Sequence, residues 1–262
     1  MTTASPHPDA PDRPLAGLVI VDKPYRLTST AVVRVVKGRL RAGGAPKRVK
    51  VGHGGTLDPL ATGVLVVLVG RATRLCDDVM RGRKGYLADI DLSRTSTTDD
   101  LEGELTPVDV PIPPERARID ALLRDSFTGT IAQTPPAYSA MKVGGKRAYD
   151  LARAGHDVHL EPRPVEIHAI RVVDYAWPAL TLDIECGKGT YIRSLARDIG
   201  GSLGTGGVLT ALRRTRVGRF TLDDAITLEA LPDPLLQEHL TITPEVRALL
   251  GRATATSSDE PS

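Results

Sequence analysis

The run VLVVLV at residues 64–69, set between Gly63 and Gly70, constrains this chain more than any other stretch. Six consecutive apolar residues leave no polar face, so the segment predicts a strand buried on both sides. Such a strand needs covering layers, and the flanking sequence supplies candidates. Residues 18–21, halted at Pro24, read as a second short strand. Thr28 or Ser29 can cap a helix through about residue 40, which Gly43 and Gly44 end. Residues 71–80 read as helical, 86–92 as an alternating strand, 107–114 as a linker and 115–124 as a helix. Residues 131–145 are loop-like, and a helix is expected over 146–154. Residues 165–175 and 180–186 read as paired strands, with Trp177-Pro178 near the turn. A helix is expected from Tyr191 to about residue 203, another after residues 204–207, and a last strand at 217–222. Strands adjacent in sequence, mixed irregularly with helices, favour an α+β fold with a central mixed, mostly antiparallel sheet flanked by helices.

The length of 262 residues allows one large domain or two smaller ones. No internal repeat and no shift in composition forces a second domain. Residues 1–14, rich in Pro and Asp, read as a disordered leader, and the polar tail after residue 252 is similar. No apolar run approaches the ~18 residues of a membrane span. The N-terminus has neither the basic nor the apolar part of a secretion signal. The two cysteines, Cys76 and Cys186, are far apart and have no CxxC or His-rich company. A zinc site is therefore not expected, no metal is invoked, and a reducing cytoplasm is the natural compartment.

A net charge of +2 says little, but its distribution says more. Between Asp22 and Asp58 no acidic residue occurs, while Lys23, Arg26, Arg34, Lys37, Arg39, Arg41, Lys47, Arg48 and Lys50 all fall there. Lys142, Lys146 and Arg147 form a second basic cluster, and Arg213, Arg214, Arg216 and Arg219 a third. Clusters of this kind either neutralise phosphates or form solvated faces.

The densest chemistry lies in KVGHGGTLDPLATGVL at residues 50–65. Gly52, Gly54 and Gly55 precede Asp58-Pro59, and Gly63 follows, so the backbone must fold tightly there. Asp58 then sits on a shaped loop feeding the buried strand, where a carboxylate can be aimed and partly desolvated. The competing reading is a turn-capping aspartate. The spacing of a dinucleotide-binding GxGxxG motif is absent.

The run GHGGTLDPLATGVL resembles the signature of the bacterial tRNA pseudouridine-55 synthases, the TruB family. Other segments agree in order: GLVIVDKP with Thr28-Ser29, the Lys84-Gly85-Tyr86 triplet, TPPAYSAMK with GKRAY, GTYIRSL, and Leu212-Arg213-Arg214 with Val217-Gly218. The resemblance implies a pseudouridine synthase-like catalytic domain over residues 15–231, with an RNA-gripping insertion at about 131–155. It implies isomerisation of a T-loop uridine in tRNA, without a cofactor, since bonds are exchanged and redox state is conserved. It assigns Asp58 as the catalytic carboxylate and Arg193 as the ionic partner that keeps it charged and holds its rotamer. Tyr86 is implied as the base that removes the C5 proton or as a stacking partner for the uracil. Tyr191 and Leu212 are implied as uracil contacts, and His53 as a helper in extracting the nucleotide. Flipping that nucleotide costs a few kcal/mol, which aromatic and phosphate contacts must offset. Lys23, Lys142, Lys146 and Arg147 are expected on the RNA. The enzyme is expected to act as a monomer on tRNA, with no membrane and no obligatory protein partner.

Two departures stand out. Residues 232–262 read as a short C-terminal extension without a complete PUA-type module, although 244–251 suggest a helix like the entry to one. Residues 92–100 lack the Leu-Gly usual before the Thr-rich turn, and a local loop difference is expected. Three rival readings are an RNA-binding protein that kept the scaffold without catalysis, a guide-dependent synthase, and a glycosidase. The third lacks paired carboxylates in the sequence pattern.

Overall fold

The structure, a computed structural model, describes residues 15–138, 142–143, 146–147 and 160–255. In chain order the elements are β1 (Ala16–Lys23), α1 (Ser29–Ala42), β2 (Val51–His53), β3 (Ala61–Gly70), α2 (Cys76–Arg81), β4 (Lys84–Asp91) and β5 (Arg94–Ser96). They continue with β6 (Leu105–Pro107), α3 (Arg116–Ser126), β7 (Gly129–Gln133), β8 (Lys142–Val143), β9 (Lys146–Arg147), β10 (Arg163–Ala176) and β11 (Ala179–Cys186). The last are α4 (Ile192–Leu203), β12 (Val208–Val217), β13 (Phe220–Thr221) and α5 (Pro244–Ala255).

The apolar run lies within β3, and every residue from Val64 to Val69 is buried. β1 pairs with it antiparallel along its whole length, from Ala16 opposite Gly70 to Lys23 opposite Gly63. One face of this pair presents Val19, Val21, Leu65, Val67 and Val69 to α1. The helix answers with Val32, Val36 and Leu40, one turn apart, and the Thr28 hydroxyl caps it by accepting from the Ala31 amide at 3.0 Å. The other face carries Leu18, Ile20, Val64, Val66 and Leu68, covered by Ala72 and by Val246 of α5. Each fully buried side chain of this size contributes roughly 1.5–3 kcal/mol, which is why so apolar a strand must be central.

The main sheet runs β1-β3-β12-β4-β11-β10-β7, with β2 beside β3 and β13 beside β12. All pairings are antiparallel except β3 with β12, which run parallel over Ala61, Thr62 and Gly63. This is the expected mixed, mostly antiparallel sheet. Beyond β12, the residues Ala88, Ile90, Leu182 and Ile184 face Ile119 and Leu123 of α3 and Leu195 and Ile199 of α4 in a second core.

Four local expectations are corrected. Residues 208–217 form strand β12 rather than a helix, inserted between β3 and β4. The final strand foreseen at 217–222 reduces to the short β13, which folds back on the end of β12. Residues 131–133 belong to β7, which pairs with β10 from Gly129–Gln133. Lys146 and Arg147 form β9 opposite β8 rather than opening a helix, and the remainder of that expected helix lies outside the described residues. The chain after Leu231 is part of the core: Leu235 and Leu240 pack with α1, and Leu18 and Thr241 exchange backbone hydrogen bonds of 3.0 and 2.8 Å. Among the described residues no helix is long and apolar enough to cross a membrane.

Candidate active site

Asp58 lies in the turn between β2 and β3, where the Ala61 amide donates to its carbonyl at 3.0 Å. Three neighbouring elements pin this turn. From α1, the buried Ser29 hydroxyl accepts from the Leu57 amide at 2.8 Å and lies 3.0 Å from the Leu57 carbonyl. At the end of β1, the Lys23 ammonium donates to the carbonyls of Leu27 at 2.6 Å, Pro24 at 3.0 Å and Pro59 at 3.5 Å. From β12, the Arg214 guanidinium donates to Gly55, Thr56 and Val64 carbonyls at 3.1, 3.3 and 2.7 Å. Gly63 has φ of +98°, and a Cβ there would collide with the Arg214 backbone, so the close approach of β3 to β12 requires glycine.

Arg193, in the first turn of α4, meets Asp58 directly. Its Nη2 is 3.0 Å from the Asp58 carboxylate, and its Nη1 is 3.4 Å from that of Asp100. The same guanidinium donates to the Thr98 carbonyl at 3.3 Å and the Tyr138 carbonyl at 3.1 Å. The side chain is only 8% exposed, so its donors are committed to these four oxygens. Asp100 is itself held by the Thr98 hydroxyl at 2.5 Å and the Glu102 amide at 3.0 Å. The arginine thus joins three segments: the Asp58 turn, the Thr-rich turn of 94–104 and the start of the insertion. Beside it, Arg197 pairs with Asp99 at 2.8 Å, and burial pushes the Asp99 carboxyl above its ordinary range.

Tyr86 of β4 and Leu212 of β12 are buried in one cluster with Leu57, Leu60 and Ala61. Register sets them there: Leu212 lies between Ala61 and Ala88, and Arg214 lies opposite Tyr86. Burial raises the Tyr86 phenol above its ordinary value, and the nearby Arg214 opposes this without reversing it. Tyr191 precedes α4. Its backbone N–H donates to the buried Gln133 side chain at 2.8 Å, and its carbonyl accepts from that side chain at 3.1 Å. The Arg163 guanidinium stands 5.3 Å from its ring centroid. His53 lies on β2 with Nδ1 buried and unpartnered among the described residues, and burial lowers its pKa, so the imidazole is neutral at pH 7.

The site therefore brings together Asp58, Arg193, Tyr86 and Leu212, with Tyr191 at the head of the same helix as Arg193. The basic residues behave differently. Lys23, expected on the RNA, is fully buried, and its ammonium is committed to the Pro24 and Leu27 carbonyls of its own turn and to the Pro59 carbonyl of the catalytic turn. An ammonium shut from solvent has no reach to a phosphate; burial lowers its pKa to about 8, with the Asp58 charge opposing. The third basic cluster is likewise no open cationic face. Arg214 is buried, and Arg213, Arg216 and Arg219 pair with Asp22, Glu185 and Glu245 at 2.8, 2.8 and 3.0 Å. The side chains of Lys142, Lys146 and Arg147 lie outside the described residues.

Sequence reasoning missed four contributors to the site. Ser29 was legible only as a cap and Arg214 only as a basic residue, whereas both pin the turn. Asp100 and Gln133 carried no signal beyond a Thr-rich turn and a loop-like segment. Among the described residues no cluster of His, Cys, Asp or Glu could hold a metal.

A model of the TruB family pseudouridylate synthase N-terminal domain matches residues 44–192, and one of the tRNA pseudouridylate synthase B C-terminal domain matches 193–250. The chain belongs to the TruB family. Its relatives include the tRNA pseudouridine synthase B of an Arthrobacter species, 47% identical over 90% of this chain and 76% of that one. That of Phocaeicola vulgatus is 43% identical over 84% of this chain and 93% of its own. Among solved structures, a Cbf5-Nop10-Gar1 complex contains a chain with a TM-score of 0.62 and 32% identity, matched over 82% of this chain and 53% of that one. A chain in an H/ACA RNP bound to a substrate RNA containing 2'-deoxyuridine gives a TM-score of 0.59 at 30% identity, over 82% of this chain and 52% of that one. The fold is that of a pseudouridine synthase. The boundary between the two TruB family models falls between Tyr191 and Arg193, so the site is built from both matched segments.

Proposed function

We propose that this chain is a standalone tRNA isomerase that converts the T-loop uridine at position 55 to pseudouridine, with Asp58 as its essential catalytic residue. Membership of the TruB family supports the reaction class. The observation that carries the residue assignment is the Asp58–Arg193 pair, set in a turn pinned from α1, β1 and β12 and opening beside Tyr86 and Leu212.

The reaction breaks the N1–C1′ bond of uridine, turns the base and joins C5 to C1′. Substrate and product are isomers, so the balance calls for no cofactor. A carboxylate is the group the pocket offers for the first step. Asp58 attacks C1′ or C6, or removes the C2′ proton to give a glycal. The Arg193 guanidinium fixes the carboxylate's direction, and Asp100 on its other side holds the guanidinium in turn. Tyr86 is a neutral phenol at working pH because burial raises its pKa. Its function is then to stack on the uracil, and Asp58, a free carboxylate again once C5 is joined to C1′, accepts the C5 proton. Leu212 and Tyr191 complete the pocket, and the neutral His53 assists in drawing the nucleotide from its loop.

The test is incubation with an unmodified tRNA transcript, with pseudouridine mapped by nucleotide. Modification confined to the T loop is expected. Asp58→Asn should abolish it while RNA binding persists, and measurable turnover by that variant would overturn the assignment. Turnover on a naked T-arm hairpin separates a standalone enzyme from a guide-dependent one.

A further inference from the structure

The turn between β1 and α1 carries a feature that the mechanism above does not use. Tyr25 is 55% exposed, and among the described residues no other aromatic side chain is so exposed. The Arg26 guanidinium lies over its ring, 5.5 Å from the centroid. Arg26 has φ of +68°, a left-handed conformation that a non-glycine residue adopts only at a cost of about 1 kcal/mol or more. Its backbone is held there by the Arg26 amide, which donates to the Pro59 carbonyl at 2.8 Å, one residue beyond Asp58. Lys23 ties the same two turns together through Leu27 and Pro59. The aromatic–cation pair is therefore fixed at the lip of the catalytic turn rather than free on a loop. No carboxylate pairs with Arg26 among the described residues, and the nearest acid on β1, Asp22, is taken by Arg213 at 2.8 Å.

We infer that Tyr25 and Arg26 form a stacking platform for an unpaired nucleotide adjoining the target uridine, the base lying on the open face of Tyr25 and its phosphate meeting Arg26. The inference rests on the reading of the pocket as a uridine site. The chemistry fits each half. Once the target is flipped, its neighbour loses a stacking partner, and an exposed ring replaces that partner without regard to base identity. A guanidinium backing the ring adds the positive charge that a phosphate requires. The Arg26 amide, tied to the Pro59 carbonyl, keeps the pair beside the Asp58 turn.

The test uses the full chain and a T-arm hairpin carrying 2-aminopurine next to the target uridine. Wild type should quench the fluorophore on binding. Tyr25→Ala should abolish the quench and raise KM about 5- to 150-fold, the range set by stacking on a single aromatic, with the loss falling in KM rather than in kcat. Tyr25→Trp should restore both. Arg26→Gly should weaken RNA binding and flatten its salt dependence while raising Tm, because glycine relieves the left-handed strain. An undiminished quench in Tyr25→Ala, or equal losses in Tyr25→Ala and Tyr25→Trp, would overturn the platform. Loss of Tm in Arg26→Gly would overturn the strain argument. Because quenching is read without turnover, a wild-type protein that quenches but makes no pseudouridine would refute the function above and leave the platform standing.

Discussion

A lysine with no route to solvent sits within reach of the Asp58 turn, and its titration gives a direct handle on the site. Burial lowers the Lys23 pKa from 10.5 to about 8. Between those values the unfolded chain binds more protons than the folded one, so stability rises with pH across that window. Lys23 should contribute about 2 kcal/mol of this rise between pH 8 and pH 10, taking ~1.4 kcal/mol per pKa unit. Urea unfolding at stepped pH measures it, and Lys23→Met should remove that share. A profile unchanged by the substitution would contradict the burial. Arg214 is the second such residue. Arg214→Met leaves three carbonyls without donors and releases the turn from β12. Stability should fall by about 3 kcal/mol or more, and kcat should fall with it even though Arg214 touches no reacting atom. Asp58, Tyr86 and Arg193 were legible from their motifs because those motifs are local. The roles of Lys23, Ser29 and Arg214 were not legible. A basic residue's chemistry is the same whether it faces phosphate or a ring of carbonyls, and only the fold decides between them.

Strand β12 illustrates the same limit for an element. VLTALRRTRV is rich in residues of high helix propensity, and its period of two is disguised because the charged Arg214 occupies a buried position. Pairing with β3 and β4 overrides that propensity. By contrast, β3 and α1 were readable, since an unbroken apolar run and a capped three-turn stripe each have one low-energy solution. Two glycines separate the effects of space and conformation. Gly63→Ala should destabilise by more than about 2 kcal/mol, because both the positive φ and the Arg214 backbone oppose a Cβ. Gly38→Ala, on the exposed side of α1 with nothing within 4 Å of its Cβ position, should stabilise by about 0.5–1 kcal/mol. Chemical denaturation of the pair checks both signs.

At the scale of the molecule, the boundary expected at Leu231 is not one of packing. Leu235, Leu240 and Val246 are buried against β1, α1 and the outer face of β3. Removing residues 232–262 should forfeit roughly 5–9 kcal/mol of apolar burial, as much as many domains possess in total. A chain ending at Leu231 should therefore show no cooperative urea transition although it keeps every proposed site residue, and a normal transition would contradict this. The sequence pattern marked where the motifs end, but the closing of the core depends on which surfaces β1 leaves uncovered.

The order of the strands has a further consequence for how the protein is made. β12 emerges from synthesis after β3, β4, β10 and β11, yet it occupies the slot between β3 and β4. Until it is released, the nascent sheet exists as two separate halves with unpaired inner edges, the kind of edge that recruits other chains. Arg193 on α4 and Arg214 on β12 also arrive late, so until then the Asp58 turn has only its holds from α1 and β1 and lacks its ion pair and its anchor from β12. The growing chain is thus catalytically silent while it is most adhesive, and the insertion of a single strand both seals the sheet and arms the site.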